Sequence, residues 1–120
     1  MFTILSRITA YDSCDNRSST REERIIGLFQ TLQEAKETAL HMAKPIFDRA
    51  YKAALENIPE EVRNLQGPGI INTNLLPFPS MYEGEVGVSV NYLPSPQEAS
   101  HYQADWISND FMIKEIETAF

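Results

Sequence analysis

Two four-residue strings fix where helices begin in this chain, and between them they decide its fold class. In Thr31-Leu32-Gln33-Glu34 and Ser95-Pro96-Gln97-Glu98 the first hydroxyl can accept from the fourth residue's amide. The fourth carboxylate can in turn reach back to the first amide, which makes each string a capping box. Pro96 adds a residue whose fixed φ suits the first helical position. Each string directly follows a run with strand character, so the chain must combine both element types. The shared letters of "TLQEA" and "SPQEA" read either as an internal duplication or as two independent solutions of one capping problem.

The strand-like runs show period-two alternation. In "MFTILSRITAY", Phe2, Ile4, Ile8 and Ala10 face one side and Thr3, Arg7, Thr9 and Tyr11 the other, with Leu5 and Ser6 as the two imperfections. Residues Asp12 to Glu23 are polar and rich in turn formers, which predicts a hairpin loop with "RIIGLFQ" returning from Arg24. "EVGVSVNY" places Val86, Val88, Val90 and Tyr92 on one face and is the cleanest strand. "DFMIKEIETAF" supplies the last strand, with Phe111 and Ile113 opposite Met112 and Lys114.

Helical spacing of Leu32, Ala35, Ala39, Met42 and Ala43 runs to Pro45, which removes a backbone donor. Ile46, Phe47, Ala50 and Tyr51 continue it, so the spacing predicts a kinked helix or two consecutive ones. Pro59 opens a further short turn, and Ser95 a helix through about Ala104. The resulting order, strand-strand-helix-helix-strand-helix-strand, is α+β: a mainly antiparallel four-stranded sheet with helices packed on one face.

With 120 residues, 42% of them apolar and 22% charged, the chain is expected to close one core as a single domain, residues 1–120. The formal charge of -7 is uneven. Residues 1–53 carry eight basic and seven acidic side chains, and residues 54–120 carry two basic and ten acidic ones. Such a field repels nucleic acid and attracts basic surfaces, so direct nucleic-acid binding is not expected. The lone cysteine, Cys14, allows no intramolecular disulfide. Neither a signal peptide nor a membrane span is indicated, and the expected location is the cytoplasm.

Candidate chemistry is thin. Asp12, Cys14, Asn16, Ser18, Thr20 and Glu23 fall on calcium-loop positions, but Arg17 stands where that loop needs glycine. Cys14, His41 and His101 are neither placed together by the pattern nor spaced as zinc ligands. Glu83, Glu85, Glu98, Asp105 and Asp110 read as a solvated acidic rim before they read as an acid/base pair. "GPG" at Gly67 to Gly69 does not open a helix as a phosphate loop would. No catalytic residue, metal or cofactor is therefore assigned.

Two binding features remain. The irregular stretch from Asn64 to Tyr82 is too apolar for disorder and too long for a plain connection. It serves either as a core plug or as a patch in which Leu75, Leu76, Phe78, Met81 and Tyr82 anchor a partner beside Glu83, Glu85, Asp105 and Asp110. The hairpin arginines Arg7, Arg17, Arg21 and Arg24 could instead grip an anion, unless their acidic neighbours neutralise them.

Gly27, Phe29, Thr31, Glu34, Ala35 and Ala39, in "ERIIGLFQTLQEAKETAL", followed at a distance by "FMIKEIE", resemble a pattern of small phage and mobile-element accessory proteins. The resemblance covers about a third of the chain and implies a protein that blocks or sequesters a host component, with no catalytic residue carried over. The leading expectation is thus a non-enzymatic interaction protein, of the phage-inhibitor type, whose acidic half and apolar loop meet a basic host protein or a second copy. The alternative is a small anionic ligand-binding protein with its site at an oligomer interface.

Overall fold

The computed structural model describes residues 1–12, 17–56 and 78–117. Seven elements follow in the order β1 (Phe2–Asp12), β2 (Arg17–Phe29), α1 (Leu32–Glu56), β3 (Ser80–Gly84), β4 (Gly87–Tyr92), α2 (Pro96–Tyr102) and β5 (Trp106–Glu115). The strands make one antiparallel sheet in the order β2-β1-β5-β4-β3. The chain is therefore α+β as expected, but with five strands instead of four and with a different element order. The turn expected at Pro59 and most of the apolar stretch lie outside the described residues.

The additional strand is β3, which takes Ser80 to Gly84 from the segment read as irregular. A two-residue turn, Glu85-Val86, folds it back onto β4, and such short turns fix hairpin register. Gly87 closes this turn against β5, where a Cβ would come within 2.5 Å of the Phe111 carbonyl oxygen. Strand β2 begins at Arg17, seven residues before the expected Arg24, and pairs with β1 from Asp12↔Arg17 onward. Its polar letters suggested a loop, yet an edge strand needs no apolar alternation, and charged side chains there discourage further pairing. Cross-strand partners such as Thr9↔Thr20 and the Arg7–Glu23 ion pair, 2.8 Å, stabilise it instead. Strand β5 likewise starts earlier than Asp110, at Trp106.

Both predicted helix starts are capped, Thr31 by one half of its box and Ser95 by both. The Glu34 amide donates to Thr31 Oγ1 at 3.1 Å. At Ser95 both halves of the box are made, each at 3.2 Å. The first helix is continuous from Leu32 to Glu56 with Pro45 inside it. The second stops at Tyr102, where Gln103 adopts the left-handed φ of 52°.

One sheet face, here the inner face, carries the core. Ile4, Val90 and Ile107 are fully buried, with Val88, Tyr92, Phe111 and Ile113 beside them. Ala35, Ala39 and Ala43 are also fully buried, and their small side chains let α1 approach the strands closely. Each enclosed Ile or Val contributes about 1.5–3 kcal/mol, so these alternating positions hold helix and sheet together.

Candidate interaction surface

Strand register sorts every other side chain onto the opposite, outer face. One row crosses all five strands as Ile25, Leu5, Met112, Gly87 and Gly84. Ile25 is 75% exposed, and the Tyr82 ring, 71% exposed, lies 3.1 Å from where a Gly84 Cβ would stand. Leu28, further along β2, is 66% exposed. The outer face thus bears an apolar band ending in an aromatic ring. No described helix packs against it, because the core contacts of α1 and of Tyr102 on α2 are on the inner face.

The next row, Glu23, Arg7, Asp110, Ser89 and Tyr82, is polar at four of its five positions. Arg7 Nε donates to Glu23 Oε1. Asp110 Oδ1 accepts from the Ser89 hydroxyl and from the Ser108 hydroxyl, the latter at 3.1 Å. These side chains satisfy one another across strands, so the row borders the band with fixed polarity.

The structure distributes the predicted binding residues over several places. Leu75 and Leu76 lie outside the described residues. Phe78 is half-buried, its ring 5.0 Å from that of Tyr51, and Met81 packs on the core from the inner face. Tyr82 is on the outer face, with exposed Glu83 and Glu85 next to it on the β3–β4 hairpin. Asp110 sits in the middle of the polar row. Asp105 is remote from the hairpin, at the approach to β5, where its amide donates to the Tyr11 carbonyl at 2.8 Å.

The arginines also part. Arg7 faces outward and Arg24 inward, Arg17 lies at the start of β2 opposite Asp12, and Arg21 falls at a register shift. His41 is exposed on α1, and the His101 ring stands edge-on to Tyr102 at 4.7 Å; Cys14 lies outside the described residues. Among the described residues no three His, Cys, Asp or Glu side chains gather as a metal site, and no helix is long and apolar enough to cross a membrane.

Leu5, Ile25 and Met112 do not stand out in the sequence as one surface, because only strand register brings them together. The available signal was Leu5, an apolar residue on the polar side of an alternating strand. Comparison of the chain with protein-family models, curated proteins and solved structures gives no match.

Proposed function

We propose that the protein is a non-enzymatic interaction protein that docks a protein partner on its outer sheet face. The observation that carries this reading is the apolar band of Ile25, Leu5 and Met112, which ends at Tyr82 beside Glu83 and Glu85. Interface hot spots favour an aromatic anchor framed by polar groups, and an exposed apolar patch rimmed by polar residues marks an interaction site. The acidic excess of residues 54–120 would raise the encounter rate with a basic partner and set its salt dependence.

The test compares wild type with Ile25→Asp by light scattering over a concentration series and by affinity capture with mass spectrometry. A charge in the band should abolish either self-association or retention of a specific protein. Indistinguishable behaviour of the two proteins in both assays would refute the reading.

A further inference from the structure

On the inner face, α1 leaves uncovered part of the sheet near β2, and a cavity of about 320 Å³ opens there. Its floor is set by register. One row places Arg24, Ser6 and Phe111 side by side on β2, β1 and β5, and the next places Glu22, Ile8 and Asn109. Helix α1 supplies Met42, Ile46 and Arg49, and α2 supplies Glu98 and Tyr102. The volume is at the lower end of the roughly 300–1,000 Å³ of small-molecule sites.

Part of the polar lining is already satisfied. Asn109 Nδ2 donates to the Tyr92 hydroxyl at 3.2 Å, and that hydroxyl donates to Glu98 Oε2 at 3.0 Å. Glu98 Oε1 accepts the Ser95 amide at 3.2 Å, so the capping box of α2 and the cavity wall share one carboxylate. Burial raises the Tyr92 pKa well above its ordinary value, and the charge and hydrogen bond of Glu98 reinforce the shift. Burial, then the charges of Glu22 and Glu98, raise that of Tyr102 as well. Both tyrosines are thus neutral hydrogen-bonding groups around pH 7.

Other lining groups find no partner among the described residues. Ser6 is 8% exposed and Asn109 7%. Among the described residues the Ser6 hydroxyl has no partner and Asn109 Oδ1 has no donor, whereas buried polar groups are ordinarily paired. The guanidiniums of Arg24 and Arg49, exposed at the mouth, form no ion pair among the described residues. Two cations that form no ion pair among the described residues thus stand over a floor with unused hydrogen-bonding capacity, between apolar walls of Ile8, Met42, Ile46 and Phe111.

We infer that this cavity binds a small monocarboxylate with a short apolar body and a hydroxyl at its far end. The carboxylate takes Arg24 and Arg49, the body lies along the apolar walls, and the hydroxyl reaches Ser6 and Asn109. A monoanion fits better than a dianion, because Glu22 and Glu98 face the same space and repel a second negative charge.

A matched set of probes tests this by NMR titration of the full chain: para-hydroxyphenylacetate, its neutral alcohol analogue tyrosol, its cationic analogue tyramine, and para-hydroxyphenyl phosphate. The expected result is saturable shifts at Ser6, Arg49 and Asn109 with the carboxylate at millimolar concentration, and weaker binding of the other three. Arg24→Gln and Arg49→Gln should each lower the affinity about 10- to 100-fold, the usual weight of a charge-assisted hydrogen bond. Both sites are exposed, so an unchanged spectrum away from the cavity verifies the fold of each variant. Ser6→Ala should weaken binding of the carboxylate, because the ligand hydroxyl loses one of its two partners. Equal binding of tyrosol or tyramine, tighter binding of the phosphate, undiminished affinity in both arginine variants, or no saturable shift with the carboxylate would each overturn the inference.

Discussion

Replacing Tyr92 by Phe removes one oxygen atom from the junction between the sheet and α2. The ring, buried at 5% exposure, stays, so the apolar contribution is preserved. Two hydrogen bonds are lost: the one donated to the Glu98 carboxylate and the one accepted from Asn109 Nδ2. A bond to a charged group is worth about 1.5–3 kcal/mol and a neutral one about 0.5–1.5 kcal/mol. Asn109 is also left buried with its amide unpaired. The expected loss is about 2–4.5 kcal/mol, read as a lower urea midpoint at unchanged slope.

The same hydroxyl makes a pH prediction. Its pKa is raised in the folded chain, so folding holds the proton more tightly than the unfolded chain does. The stabilisation is fully present below about pH 10, the ordinary tyrosine value, and is lost as pH rises above it. Wild type should therefore lose its advantage over Tyr92→Phe progressively above that pH. A loss under about 1 kcal/mol at pH 7, or a difference independent of pH up to the alkaline limit, would refute the proposed junction.

Other substitutions separate the core from the two surfaces. Ile107→Ala, at a fully buried position, should cost about 2–5 kcal/mol in chemical denaturation. Gly87→Ala should lower the melting temperature measurably, because the added Cβ meets the backbone oxygen of Phe111 at 2.5 Å. Ile25→Asp should change stability by no more than about 0.5 kcal/mol, as expected for an exposed site, while eliminating association. Arg7→Ala should cost no more than about 1 kcal/mol, because the pair with Glu23 is partly exposed.

The helices were legible because their capping residues are local chemistry: Thr31, Glu34, Ser95 and Glu98 act within four positions of one another. The inner face was legible wherever alternation is clean, as in Val88, Val90 and Tyr92. Strand β2 was obscured because an edge strand takes its order from pairing with β1, and its own letters are those of a turn. Strand β3 was obscured by the glycines and prolines before it, although its pairing partner, β4, was the clearest strand of all. The two irregularities of the first strand turn out to mark both surfaces. Leu5, apolar on the polar side, lies in the outer band, and Ser6, polar on the apolar side, lies in the floor of the cavity. Arg24 could be singled out as an anion-binding side chain, but its companion Arg49 comes from a helix surface position with no local signature.

Hydroxyl-radical footprinting of the free and assembled protein distinguishes the two sheet faces, since Met, Tyr, Leu and Ile side chains report their own exposure. Docking on the outer face predicts that Met112, Tyr82, Leu5 and Ile25 lose reactivity on assembly, while Met42 and Tyr102, on the cavity side, keep theirs. Protection confined to Met42 and Tyr102, with Met112 and Tyr82 as reactive as in the free chain, would contradict the account.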